Sequence, residues 1–201
     1  EVFFNFKNAG QRVQLVDPAD HPEALADVLG GGGGRLDRDF DRVLQIGLGD
    51  ALDRYTGHFA KLLMQDCGFD DARATAEVGE AVAALRGAAV GETGVFALIL
   101  DASRPLAGMA EAIAPALMAG AAVVVKPSLK APSAVYALCE LSGRADWPAG
   151  VLNLMQGDTA AIEGLCAGGI DRLVYSGQAS LGVQVGAIAE AAGVPFEMKA
   201  G

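Results

Sequence analysis

Lys126-Pro127-Ser128 stands directly after an apolar run, Ala121 to Val125, that reads as a buried strand. A cation at the end of such a strand, fixed by the rigid turn that a proline imposes, can donate to a ribose or phosphate oxygen. A nucleotide is its natural guest. The thiols are weaker candidates. A cysteine nucleophile needs a depressed pKa and a neighbouring base. Cys139 lies in the apolar pattern of a helix, Cys67 precedes Gly68, and Cys166 precedes Ala167-Gly168-Gly169. None has an activating base at hand, so all three read as buried or incidental thiols. Three cysteines without CxxC spacing, with only two histidines beside them, suggest neither a disulfide framework nor a zinc cage. No metal site is expected.

Other conspicuous residues have plainer readings. His58 sits in a helical segment without an acid or nucleophile in a convincing arrangement, which favours a surface or packing role. Gly30 to Gly34 would cradle a phosphate only between a strand and a helix N-terminus. Arg35-Leu36-Asp37-Arg38-Asp39 follows instead, so the glycines read as a flexible linker. Trp147 and Tyr175 read as packing residues and Lys130 as a solvated charge.

The elements that must position Lys126 come next. Val2 to Phe6 and Arg12 to Val16 are β-like runs around the turn residues Asn8-Ala9-Gly10, which predicts a hairpin. From Asp41 to Arg86 apolar residues recur at near-helical spacing, predicting a helical pair or more, separated at Gly68 and capped by Asp70 or Asp71. After Gly94, strands and helices alternate. Strands are predicted at Val95–Leu100, Ala121–Val125, Val151–Met155, Arg172–Tyr175 and Pro195–Met198. Helices are predicted at Leu106–Met118, Ser133–Ser142, Thr159–Cys166 and Ala179–Ala192, with Gly120, Gly143 and Gly193 at helix ends. The fold class is therefore α/β, a Rossmann-like parallel sheet flanked by helices with a helical segment before it. Residues 1–34 form an N-terminal strand segment and linker, and 35–201 the nucleotide-binding domain. In such sheets ligands bind at the carboxyl ends of the strands, which singles out the loops after Leu100, Val125, Met155 and Tyr175.

Composition narrows the partners. A formal net charge of -10 repels phosphate backbones and anionic lipid headgroups, so neither nucleic acid nor membrane is an expected partner. No apolar stretch reaches the roughly 20 residues of a spanning helix. Without a basic leader, a reducing, cytoplasmic compartment fits best. A start at Glu1 and a stop at Gly201, directly after a strand-like run, suggest part of a longer chain or oligomer.

Three segments in order carry a resemblance. Ala112 to Ser128, AIAPALMAGAAVVVKPS, resembles the aldehyde dehydrogenase segment in which an Ala-rich helix leads into a strand ending Lys-Pro-Ser. Trp147 to Asp158, WPAGVLNLMQGD, resembles the family's Pro-x-Gly-Val-x-Asn-x-x-x-Gly strand, and Tyr175-Ser176-Gly177-Gln178 its Phe-Thr-Gly-Ser. The match is strong over residues 90–201 and weaker over 41–86. The resemblance implies NAD or NADP as cofactor and, through a domain this sequence does not contain, an aldehyde substrate. It implies that Lys126, with Pro127 turning the chain, binds the adenosine ribose, and that Ser128 and Gly157 line the adenine side. Ser176, Gly177 and Gln178 would lie against the pyrophosphate at a helix N-terminus, and Ile99 and Leu100 would flank the nicotinamide half. Unpaired N–H groups and partial positive charge at a helix start suit a phosphate on physical grounds as well.

The departures matter as much. The family's Pro-Trp-Asn-x-Pro reads Asp101-Ala102-Ser103-Arg104-Pro105, so Ser103 occupies the oxyanion position. Losing one preorganised donor costs about 3 kcal/mol of transition-state stabilisation. Leu129 stands where an acid should share the ribose with Lys126, and Asp101 brings negative charge towards the dinucleotide. Aligned on Pro195 and Gly201, PFEMKAG puts Lys199 at the general-base position. A two-residue slip would recruit Glu197 but break both matches. The family's nucleophilic cysteine falls beyond Gly201. Two readings follow: the NAD(P)-binding portion of an aldehyde dehydrogenase-like oxidoreductase, or a non-catalytic module of a larger protein that keeps the fold for structure or assembly.

Overall fold

A computed structural model describes residues 2–5, 14–16, 38–144 and 150–200. Strands β1 (Val2–Asn5) and β2 (Gln14–Val16) form the expected antiparallel hairpin, with Phe3 opposite Val16. The five-glycine segment and Trp147 lie outside the described residues.

The helical region resolves into three helices: α1 (Arg38–Arg54), α2 (Thr56–Cys67) and α3 (Asp71–Gly87). Tyr55 divides the first two. Its amide bonds back to Ala51 and Leu52, and the Thr56 hydroxyl donates to the Asp53 carbonyl at 2.7 Å. Gly68, at φ 68°, closes α2 in the left-handed conformation that side chains resist. Asp70 then caps α3 by accepting from the Arg73 amide at 2.8 Å, a contact worth about 1 kcal/mol.

Beyond Gly94 the alternation is β3 (Val95–Leu100), α4 (Ala107–Met118), β4 (Ala122–Lys126), α5 (Ser133–Arg144), β5 (Leu152–Gln156), α6 (Thr159–Ala167), β6 (Arg172–Gly177), α7 (Ala179–Ala191) and β7 (Phe196–Ala200). Two boundaries differ in a useful way. Lys126 is the last residue of β4 rather than the first of the loop, because its backbone still pairs with Ile99. Gly143 does not end a helix, since α5 runs on to Arg144.

Strands β5-β4-β3-β6-β7 are mutually parallel, and β1 pairs antiparallel to β5, giving the order β2-β1-β5-β4-β3-β6-β7. Strands covered on both faces read as unbroken apolar runs, as Val95–Leu100 does. Alternate side chains then feed two cores. Phe96, Leu98, Leu100, Val123, Val125 and Leu154 pack with residues of α1 to α5 on one face. Ala97, Ile99, Val124, Met155 and Tyr175 pack with α6 and α7 on the other. Among the described residues, no helix is long and apolar enough to cross a membrane.

Candidate functional site

The register brings most of the expected site residues to one edge. Ile99 lies opposite Lys126 on β4 and opposite Tyr175 on β6, Leu100 lies opposite Ser176, and Ser176 lies opposite Lys199 on β7. Gly177 ends β6, Gln178 opens α7, and Gly157 follows β5. Ile99 and Leu100 bury their side chains in the two opposite cores, so they present backbone rather than side chain to a guest at this edge.

Lys126 is 6 % exposed. Its ammonium donates to the Pro127 carbonyl at 3.3 Å, and Asp158 is the acid whose field it feels. Burial nonetheless dominates and lowers its pKa below the ordinary lysine value. A buried cation whose one hydrogen bond among the described residues is a long one to its own neighbour can still donate to a ligand. The Ser128 hydroxyl accepts from the Lys130 amide at 3.2 Å, so Ser128 is shaping its own turn. Leu129, at 62 % exposure, offers no acceptor there.

Asp101 dominates the neighbouring loop. Its carboxylate is 6 % exposed and accepts from four donors. These are the Ser103 amide at 2.7 Å and hydroxyl at 2.5 Å, the Gln178 amide at 2.5 Å and, at 3.3 Å, the Tyr175 hydroxyl, whose one proton is shared with the nearer Gln178 carbonyl at 3.0 Å. Gly177 makes this possible. Its φ of 149° favours glycine, and a Cβ there would run into the carboxylate. Burial first, then the Asp101 charge, push the Tyr175 phenol above its usual range, so it stays a donor at neutral pH. Tyr175 therefore has a polar role besides packing.

The same loop is tied to α3. Arg73 donates to the Ser103 carbonyl at 3.1 Å, and Arg104 pairs with Glu80 at 2.9 Å and with Glu111 at 2.6 Å. Glu77 accepts from the Leu106 and Ala107 amides and so caps α4, while Asp66 of α2 accepts from the Ser133 amide at the start of α5. Sequence reasoning missed both carboxylates, since each serves a helix far away in the chain. An acid within an apolar helical pattern, as Glu77 is, was the available signal.

The substituted chemical positions have their own partners. The Ser103 hydroxyl donates to Asp101. Lys199 lies 3.8 Å from Glu197, and Glu197 also meets Arg172 at 3.4 Å, so both candidates for the base position belong to one ion-pair cluster. The thiols are no better placed. Burial pushes Cys67 up to about 11 and raises Cys139 and Cys166 as well, which opposes a thiolate.

These residues do not fit a dinucleotide whose pyrophosphate lies on the start of α7. Lys126 suits a ribose, but the Gln178 amide already serves a carboxylate, and a phosphate placed there would meet a second negative charge at close range.

The aldehyde dehydrogenase family profile matches residues 92–201, more than half of the chain. No curated protein sequence matches it. Among solved structures, the aldehyde dehydrogenase KauB from Pseudomonas aeruginosa is 23% identical with a TM-score of 0.80, over 99% of this chain and 47% of its own. A putative aldehyde dehydrogenase from Bacillus subtilis is 18% identical with a TM-score of 0.82, over 100% of this chain and 54% of its own. The indole-3-acetaldehyde dehydrogenase AldA of P. syringae, solved with NAD+, is 23% identical with a TM-score of 0.80, over 99% and 47%. The chain thus spans about half the length of these proteins. From the strand-ending Lys126-Pro127-Ser128 to the glycine turn at Gly177, on a five-stranded parallel sheet, the chain belongs to the aldehyde dehydrogenase family.

Proposed function

We propose that this chain is the dinucleotide-domain portion of an aldehyde dehydrogenase-like protein that serves as a non-catalytic structural or assembly module. The observation that carries the reading is the 2.5 Å hydrogen bond from the Ser103 hydroxyl to Asp101. A hydroxyl has one proton to donate, and this one is spent on a neighbouring carboxylate, so it is not held ready for a developing oxyanion. Lys199, paired with Glu197, supports the same reading at the base position. Three unpaired thiols suit a reducing, cytoplasmic setting.

The second reading, an NAD- or NADP-binding portion acting on an aldehyde with a further domain, is favoured by Lys126, whose buried ammonium has hydrogen-bonding capacity to spare. Aldehyde oxidation by the full chain with NAD or NADP separates the two. The expected result is no turnover above background. Turnover that Ser103→Ala leaves intact while Lys126→Ala abolishes it would replace the first reading with the second.

A further inference from the structure

We infer that Asp101 is a built-in anion, which fills an oxyanion pocket at the start of α7 and thereby excludes phosphate from it. The inference deepens the reading of a closed dinucleotide site and gives its physical cause. The carboxylate of an aspartate only 6% exposed must be compensated, and here four donors from three residues, Ser103, Tyr175 and Gln178, converge on it. Two are backbone amides, at Ser103 and Gln178, and two are hydroxyls, at Ser103 and Tyr175. Gln178 sits at the N-terminus of a 13-residue helix, so the dipole of α7 adds to the attraction. Gly177 leaves the space above its backbone clear for the two carboxylate oxygens, where any Cβ would collide.

This arrangement has the properties of an anion-binding pocket: converging donors, a helix start, a side-chain-free floor and little water. It differs from one in that the anion is covalently attached, at an effective concentration no free ligand reaches. A phosphate oxygen could enter only by expelling Asp101, which would leave a carboxylate buried without donors. Lys126 remains outside this set and donates instead to the Pro127 carbonyl.

The test is chemical rescue in the full chain. Asp101→Ala should melt about 5–10 °C below the wild type, since several charge-assisted hydrogen bonds are lost. Formate, acetate or inorganic phosphate at matched ionic strength should restore part of that loss, and chloride should not. The wild type should not respond to any of them. Asp101→Asn, which keeps the shape, fills the pocket and should not respond either. If Asp101→Ala does not fold in plain buffer, refolding in formate is the readout. Recovery in formate and not in chloride supports the inference, and failure in both overturns it. It is also overturned if the variant melts with the wild type, or if the wild type is stabilised by phosphate as strongly as the variant. None of these outcomes depends on whether aldehyde turnover is seen.

Discussion

The Glu77 carboxylate of α3 accepts from the backbone amides of Leu106 and Ala107, at 3.2 and 2.9 Å, and so closes the start of α4 from a neighbouring helix. Glu77 is 5% exposed, and burial raises its pKa despite the two amides. The folded chain therefore holds the Glu77 proton more tightly than the unfolded chain. Its contribution to stability is greatest below the ordinary carboxylate range and declines as pH rises through that range to the raised folded value.

Glu77→Gln keeps an acceptor for the amides without the buried charge. Its stability relative to the wild type should therefore increase as pH rises from about 4 towards neutrality. Glu77→Ala leaves two buried amides unsatisfied and should cost about 1–3 kcal/mol at neutral pH. Urea unfolding of the three proteins at several pH values reads both effects. A wild type-to-Gln difference that does not change with pH would contradict the burial argument.

Lys126 has the opposite sign. Its folded pKa is lowered by burial, so stability rises with pH as the unfolded-state proton is lost, in the window below the ordinary lysine value of about 10.4. Lys126→Met at pH 7 should be as stable as the wild type or about 1 kcal/mol more stable, with that advantage shrinking towards pH 10. A loss above about 1 kcal/mol at pH 7 would reveal a partner that Lys126 relies on.

Gly177→Ala should destabilise by about 2 kcal/mol or more, through a backbone conformation that side chains resist and a clash with the Asp101 carboxylate. In the Asp101→Ala background the clash is gone and the backbone cost remains. The double-mutant cycle should therefore show that the two substitutions together cost less than their sum, by 0.5 kcal/mol or more. Strict additivity would mean that the carboxylate does not rest on Gly177.

Leu98, 1% exposed in the central strand β3, should cost about 2–5 kcal/mol on replacement by Ala. Val183, 68% exposed on α7, should change stability by less than about 0.5 kcal/mol on replacement by Ser. Denaturant melts of both variants test whether the two cores and the outer face of α7 are as described.

The fold was legible because its signals are local and repetitive. The apolar runs at Val95–Leu100 and Ala121–Val125, and the glycines at 68, 120 and 193, state strand and turn positions directly. Lys126 at a strand end was equally readable, since adjacency in sequence fixes it. What escaped was action at a distance. That Asp101 reaches the Gln178 amide depends on β3 and β6 being neighbours, which no periodicity states. The Glu77 and Asp66 caps depend on helix packing in the same way. The division at Tyr55 was hidden because the apolar pattern runs on through it.

The hairpin at the edge of the sheet has a consequence for the order of assembly. Phe3 pairs with Val16 on one side and with Met155 on the other, so one edge of β1 has no partner until β5 has been synthesised. Even when paired with β2, Val2-Phe3-Phe4-Asn5 then waits as an apolar strand with one open edge, the kind of sequence that seeks β partners on other chains. Pairing across such a sequence separation also makes closure of that edge a late and slow event. Between synthesis of β1 and of β5 that open edge is exposed to aggregation, and a chaperone that covered it would matter then.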